Sequence, residues 1–559
     1  MLKLKRTWQW IGLALTALVL LGPAVSYADS RPDLVIAVNK LPRSLEPVES
    51  TGNVDVRAHY SSFDTLIRRD FLNPKKNQVP DLKPSLAESW KWIDKNTLEL
   101  KLRKGVKFHS GDPVTADDVV FTFSKERMSG KNSVLPSGSR YFGHLKKVEK
   151  VDDLTVRIIT EEPDVMLDQR LATYAGWIVS KKQWMQYKDE GEKWAASQQA
   201  KMKTKKDEKK KKKKKKRDVK ITWMHYALKN IRWNPVGTGP LKFVEWRKNQ
   251  YIKYAANDDY FLGKPNFKTL TFKVVPEVAT RIAGLASGEF DMIVDVPPDQ
   301  FKVLERYKDI DIRSVVLENT HMLVFNMLAP SLKDKRLRQA LSLAIDRAQL
   351  RKALWNNRNY TPNGHQLPSF GKMYNPDRPG YVYDPEKAKK LLKEVGYDGR
   401  EISFRVIPNY YLNGTEVSQI LQQMWKKVGI NVKLEFVDSF KQVRSKGVEI
   451  YTWSNTHRLP DPTGALMITW GPRSAIQRRY KFWRAPQAFN DGLNEILTTY
   501  DMDKRYAAFQ KVLDIYEDEM PGTMLYNALY SYAVKKNIDW TPFPILFMDF
   551  RPDVLKIKG

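Results

Sequence analysis

The spacing of apolar positions changes character partway along the 559-residue chain. In the first third the signals are short and have a period of two. Leu98, Leu100 and Leu102 alternate with polar neighbours as a half-buried strand requires, and residues 155–159 form a second β-rich run. From about Thr320 the period lengthens to that of helices with clear starts and stops. Asp334 can cap a helix that sets Leu337, Leu341, Ile345 and Ala348 on one face. Asp384 followed by Pro385 is a cap with proline at the first helical position; Leu391, Leu392 and Val395 face inward and Gly396 is the stop. Thr415 opens a third helix carrying Val417, Ile420, Leu421, Met424, Trp425 and Val428, closed by Gly429, and Val432, Leu434 and Phe436 then alternate as a strand. Helix, glycine and strand in succession make an α/β pattern.

Length and composition bound the rest. At about 100–200 residues per domain the chain predicts several domains. Its 42% apolar content supplies large cores, and 16 Trp with 25 Tyr can line clefts as well as fill interiors. Without cysteine there are no disulfides, thiolate chemistry or cysteine zinc sites. Lys3, Lys5 and Arg6 precede an apolar run, and Ser26, Tyr27 and Ala28 fit a small-x-small site, so residues 1–28 read as a signal peptide cleaved after Ala28. No later run approaches the roughly 18 apolar residues of a spanning helix, and the cysteine of a lipoprotein anchor is missing. A free periplasmic protein is expected.

The net charge of +31 is unevenly spread. Residues 201–218 hold thirteen Lys or Arg against three acids, with eight consecutive lysines from Lys209 to Lys216. Such a run repels itself, and a disordered loop over 198–219 is expected. A polyanion tether is the competing use of this tract, but it lacks interleaved aromatics, and no nucleic-acid partner is expected.

Candidate chemistry is sparse. His109, Asp112, Asp117 and Asp118 cluster in KFHSGDPVTADDVVF (107–121), and these are ligand and acid/base residue types. The same residues also read as a turn at Gly111 to Pro113 followed by a capping box from Thr115, and the structural reading is favoured. NPVGTGPLKF (234–243) has glycine spacing but no following GKS or GKT, and Pro240 removes an amide that a phosphate cradle would use. It reads as a turn entering a strand at Lys242 to Glu245. No metalloprotease, nucleophile-elbow or EF-hand motif occurs, and seven histidines are scattered without ligand spacing. No metal or cofactor is expected. A secreted enzyme with a non-local active site is weaker than a binding protein.

Seven stretches in order carry a resemblance. PSLAESW (84–90), KFHSGDPVTADDVVF, NPVGTGPLKF, NDDYFLGKP (257–265), VVPEVATRIAGLASGEFDM (274–292), FNMLAPSLKDKRLRQALSLAIDR (325–347) and YDPEKAKKLLKEVGY (383–397) resemble the extracellular solute-binding proteins of family 5, the peptide/nickel class of ABC-importer receptors. The resemblance implies an α/β, two-lobed periplasmic-binding-protein fold of class II (cluster C type) with an extra inserted domain. Domain I would comprise 29–57, 172–321 and 527–559, domain II 58–171 and domain III 322–526. Hinge strands would lie near residues 321–326 and 526–532. A monomer would close on a small peptide or peptide-like solute and engage an ABC permease transiently.

The resemblance also implies a ligand region. Peptide-binding relatives hold the ligand ammonium with an aspartate after a tryptophan; in WSNTHRLPDPTG (453–464) that position is Thr456, and Asp461 before Pro462 matches a structural Asp-Pro. Where relatives clamp a carboxylate with arginine, Pro408 stands, with Arg405 three residues earlier. His457 and Arg458 make the loop basic, which suits an anionic group. Candidate ligand contacts are Thr51, Gly52, Asn53, Tyr141, Asn409, Tyr410, Tyr411, Trp453, Asn455, Thr456, His457 and Arg458.

Overall fold

The computed structural model describes residues 29–75, 78–130, 132–208, 220–408 and 410–558. The expected signal peptide, the eleven residues 209–219 of the lysine tract and Asn409 lie outside them. One ten-stranded sheet organises the chain. From one edge to the other it runs Val432–Phe436, Ile402–Val406, Ile450–Thr456, Ile310–Phe325, Gly522–Lys535, Met292–Ile293, Asp33–Val38, Thr269–Val274, Tyr251–Ala256 and Leu241–Arg247.

Two of these strands are much longer than the rest, 16 residues in Ile310–Phe325 and 14 in Gly522–Lys535. Both are rich in β-branched and aromatic residues, and the second is buried along almost its whole length, so it reads as a nearly continuous apolar run. They pair antiparallel from Ile310↔Lys535 to Val324↔Gly522. On one side of them sit strands of residues 402–456; on the other, strands from the N-terminal and middle parts of the chain. The ladder breaks between Val316↔Leu529 and Thr320↔Asn527. There the Glu318 amide donates instead to the Pro544 carbonyl at 2.6 Å, and the Glu318 carbonyl accepts from the His457 amide at 2.9 Å. The break thus lies just before residues 321–326, where a hinge strand is expected, and its backbone groups are satisfied by other segments.

A separate antiparallel sheet of four strands, Ala87–Asp94, Thr97–Leu102, Thr155–Thr160 and Leu145–Asp152, is inserted between the first and second strands of the large sheet. Its core carries the predicted Leu98, Leu100 and Leu102, all buried. Helix Ala116–Thr122 packs beside it, and its start is the predicted capping box: the Thr115 amide donates to Asp118 Oδ2 at 3.0 Å and the Thr115 side chain receives the N3 amide. Asp118 also accepts the Lys181 amide at 2.8 Å, whereas Asp117 makes exposed ion pairs with Lys150 and Lys181. Asp118→Ala is therefore expected to cost about 1–2 kcal/mol and Asp117→Ala less than about 1 kcal/mol, compared by thermal unfolding. Equal costs would contradict the division of roles.

His109 of the same stretch is engaged at both ring nitrogens. Its Nε2 donates to the Gly239 carbonyl at 2.8 Å and its Nδ1 accepts from the Gly237 amide at 3.3 Å, so two of the recognised motifs clasp each other. Glycine is required there: a Cβ on Gly237 would lie 1.9 Å from the Ser62 carbonyl oxygen. Burial lowers the imidazole pKa to about 4 and keeps it neutral.

The later helices follow their caps with three corrections. Asp334 caps Lys335–Leu343, which ends before Ile345; Asp346 then caps a second helix, Arg347–Trp355, and Ala348 is exposed on it. The third helix is Gly414–Lys427, starting one residue earlier than expected from a left-handed Asn413. Phe436 ends its strand exposed, because the strand lies at the sheet edge. Within the expected 198–219 loop, residues 198–208 instead continue the helix Lys188–Glu208. That helix packs on Trp223–Ile231, with Trp194 5.8 Å from Tyr226 and Gln199 donating to the Ile221 carbonyl at 2.8 Å.

Candidate functional site

Beside the break in the long strands, two walls face each other. The first is the loop over residues 40–53 with the short helix Ser139–Phe142. Gly52 accepts the Val56 amide and donates to Asp55 Oδ2 at 2.9 Å, which fixes the turn that presents Thr51 and Asn53. Tyr141, buried under this loop, donates from its hydroxyl to Thr51 Oγ1 at 3.4 Å, and Ser137 Oγ donates to the Val48 carbonyl at 2.8 Å. The second wall is built from Tyr410, Tyr411, Phe440, Arg444 and residues 453–458. Residues 453–456, expected in a loop, belong to strand Ile450–Thr456 paired with Ile310–Phe325, and the chain turns only after them.

The walls touch at few points. Asn53 Nδ2 donates to Ser454 Oγ at 3.4 Å; Ser454 Oγ donates to Asn319 Oδ1 at 2.6 Å, and Asn319 Nδ2 to Thr456 Oγ1 at 2.9 Å. This relay starts in the first wall and ends at the strand break. Lys40 lies 5.7 Å from the Tyr410 ring, and the Arg458 guanidinium lies 5.8 Å from Tyr141 and 5.3 Å from Tyr174. The seam is otherwise lined by aromatic rings, among them half-exposed Trp453 and Tyr410, 40% exposed and stacked edge-on to Tyr411 and Phe440, each at 4.7 Å. Tyr411 packs 4.6 Å from His321.

Eight of the sequence-selected residues therefore converge: Thr51, Gly52, Asn53, Tyr141, Tyr410, Tyr411, Trp453 and Arg458. Asn455, Thr456 and His457 are adjacent but buried, and their polar atoms are directed into the protein. Asn455 Oδ1 accepts from Thr469 Oγ1 at 2.8 Å, and the His457 ring lies 5.6 Å from Phe370 with Nε2 3.5 Å from Thr320 Oγ1. The expectation of a basic His457 is corrected. Burial, and then the charge of Arg458, push its pKa down to about 3, so the basic character of the loop comes from Arg458 alone. Arg405, near the expected carboxylate clamp, is held by Glu435 at 2.7 Å and by Ser445 Oγ at 2.9 Å. Asp461 takes its structural place: Oδ1 accepts from the Thr463 amide and hydroxyl, and Oδ2 pairs with buried Arg505 at 2.6 Å.

Sequence reasoning missed Arg140, Arg444, Asn319 and Ser454. Only Phe440 and Arg444, four apart on a short helical turn, left a weak trace of a ring beneath a guanidinium.

The state of His457 sets a pH dependence. An imidazole that titrates near 6.5 unfolded and near 3 folded contributes stability in full above about pH 6.5, and that contribution is lost as pH falls toward 3. By about pH 5 the loss is roughly 2 kcal/mol. Urea midpoints at about pH 7.5 and about pH 5 should show it, and His457→Gln should make the drop smaller by about that amount. An unchanged slope in the variant would contradict the assignment.

Two lobes joined by two long strands, with a seam of aromatic and polar side chains drawn from both, define a bilobal binding protein. The family model for "Bacterial extracellular solute-binding proteins, family 5 Middle" matches residues 81–476. The chain belongs to this family of extracellular solute-binding proteins. It is 27% identical over 481 residues to the dipeptide-binding protein of Escherichia coli, covering 81% of this chain and 82% of the relative. It is 30% identical over 380 residues to the oligopeptide-binding protein AppA of Bacillus subtilis, covering 65% and 63%. The fold matches the periplasmic binding protein DppA of Helicobacter pylori with a peptide bound, at TM-score 0.76 and 22% identity over 95% of this chain and 99% of that one. It likewise matches a Pseudoalteromonas dipeptide-binding protein holding Met-Leu, at TM-score 0.77 and 21% identity over 94% and 100%. No helix among the described residues is long and apolar enough to cross a membrane, and no group of three or more His, Asp or Glu among them could hold a metal ion.

Proposed function

We propose that this protein is the periplasmic substrate-binding receptor of an ABC importer, exported by a cleavable signal over residues 1–28, and that it captures a peptide or peptide-like solute without catalysing a reaction. The observation that carries this is the seam: walls whose residues lie some 400 positions apart meet through Asn53 and Ser454 beside a break in the two strands joining the lobes. In this reading 29–57, 172–321 and 527–559 form domain I, 58–171 domain II and 322–526 domain III. The ligand meets Thr51, Gly52, Asn53, Tyr410, Tyr411, Trp453 and Arg458, with Asn409 beside them in sequence. Tyr141, Asn455, Thr456 and His457, all buried, support this surface from beneath. Ligand contacts made only with the lobes together shift the population toward the closed form, and the permease binds that form as its transient partner.

The test uses the chain from Asp29 onward, purified and refolded to strip carried-over solute. Native mass spectrometry with a di- and tripeptide mixture should show a single bound mass. Saturation at about one hundred times Kd should add about 2.7 kcal/mol of stability, and small-angle scattering should show a more compact particle. Steady conversion of bound peptide to product would overturn the reading, as would no retained mass from any peptide.

A further inference from the structure

Most buried arginines in this protein are neutralised by a carboxylate: Arg57 by Asp295, Arg127 by Glu46, Arg170 by Asp164, Arg505 by Asp461 and Arg551 by Asp64 and Asp549. Such pairing is the general rule for charges removed from water. Four others, Arg69, Arg281, Arg338 and Arg347, are held by backbone carbonyls, and three arginines at the seam, the half-buried Arg444 and Arg458 and the exposed Arg140, have no carboxylate partner among the described residues. Arg444 lies over four rings, 4.2 Å from Trp453, 5.0 Å from Phe440, 5.3 Å from Tyr480 and 5.8 Å from Tyr451. Its Nη1 donates to the Tyr480 hydroxyl at 3.3 Å, and its Nε is buried without a partner. Arg458 is fixed through its backbone, its carbonyl accepting from Arg69 at 2.7 Å and from Thr173 Oγ1 at 2.9 Å. Its guanidinium rests on Tyr141 and Tyr174, Nη1 reaches only the Thr456 carbonyl at 3.4 Å, and Nε is again buried and unpartnered. Arg140, on the helix Ser139–Phe142, has no side-chain hydrogen bond or ion pair among the described residues. Arg140 is exposed and directly precedes Tyr141, the ring on which the Arg458 guanidinium rests, so its charge stands across the seam from that of Arg458.

The three come from opposite walls, Arg140 from one and Arg444 and Arg458 from the other. Bringing the walls together without ligand therefore brings like charges together, and no carboxylate among the described residues pairs with them. Aromatic faces hold the second-wall guanidinium groups in place without neutralising them. An arginine held in this way keeps its fork of donors for a carboxylate, which it can bind with two parallel hydrogen bonds.

Building on the receptor reading, we propose that the seam selects peptide-like solutes bearing two or more carboxylates, and that closure is complete only when such a solute lies among Arg140, Arg444 and Arg458. The anion removes the repulsion between the walls and so binds the closed form far better than the open one. Neutral peptides close it poorly, and cationic peptides do not enter.

Isothermal titration of the chain from Asp29 onward, with Glu-Glu, Ala-Ala, Lys-Lys and a dicarboxylate lacking any peptide bond, tests this. Glu-Glu is expected to bind at least about 30-fold more tightly than Ala-Ala, with Lys-Lys undetected at about 1 mM. Arg140→Gln should weaken Glu-Glu at least about 10-fold and Ala-Ala by clearly less, and Arg140→Lys should restore part of the loss. Because the Arg140 side chain is exposed and makes no hydrogen bond or ion pair among the described residues, these variants are expected to unfold at the wild-type midpoint. Ala-Ala binding as tightly as Glu-Glu would overturn the selection while leaving a peptide receptor. Binding of the dicarboxylate alone, with the same Arg140 dependence, would keep the anion site and overturn the peptide reading. No binding of any acidic probe, or an Arg140→Gln variant that binds Glu-Glu normally, overturns the proposal.

Discussion

Arg551→Met is expected to lower the free energy of unfolding by about 3–5 kcal/mol. The side chain is 1% exposed and reaches five partners from three separated parts of the chain. Its guanidinium donates to Asp64 at 2.7 Å, to Asp549 at 2.9 Å, to the Tyr260 hydroxyl at 2.9 Å, and to the Tyr60 and Phe63 carbonyls at 3.1 and 3.3 Å. Methionine matches much of its length but leaves two buried carboxylates without a counter-charge. The residue ties the C-terminal segment to the N-terminal helix Asp55–Ser62 and to the middle segment. Urea unfolding followed by tryptophan fluorescence measures the loss; a shift worth less than about 1 kcal/mol would mean that the network contributes no more than a surface pair.

Asp461→Ala is expected to cost a similar 3–5 kcal/mol or so, because Arg505, 4% exposed, would keep its charge and lose its partner. The substitution also removes the acceptor that turns the chain at Thr463 and so loosens the segment carrying Arg458. Asp461→Asn separates these effects, since its oxygen can still accept from Thr463 while the charge is gone. Stability should fall in both variants, with ligand affinity falling further in the alanine variant. If the asparagine variant is as stable as wild type, the ion pair with Arg505 contributes nothing.

Local signals made much of the fold legible. Asp334 and Asp384 each bond the first amides of their helices, Thr115 and Asp118 form the box that their spacing predicts, and Leu98, Leu100 and Leu102 face a core. These features depend on residues within a few positions of one another. The length of the helix after Asp334 was not legible in the same way, because Ile345 stays buried after the helix has ended and so keeps the apolar period. The candidate site was half legible. Thr51, Asn53, Trp453 and Arg458 were reached through family position, whereas the burial of His457 follows from Phe370 and Thr320, remote in sequence and fixed only by packing. The bulge that supplies Asn319 is a register property of two strands some 200 residues apart, and no window of sequence contains both.

The place of strand Gly522–Lys535 in the large sheet has a consequence for synthesis. It separates Met292–Ile293 from Ile310–Phe325, so until it arrives each half of the sheet keeps an open hydrogen-bonding edge. At about 5–20 residues per second, the interval between emergence of residue 293 and residue 535 is roughly 10–50 s. Throughout that time the nascent chain can pair its backbone with another chain as readily as with itself. This order of assembly suits the export proposed above, which needs an unfolded chain, because the strand that completes the central sheet is among the last parts to be made.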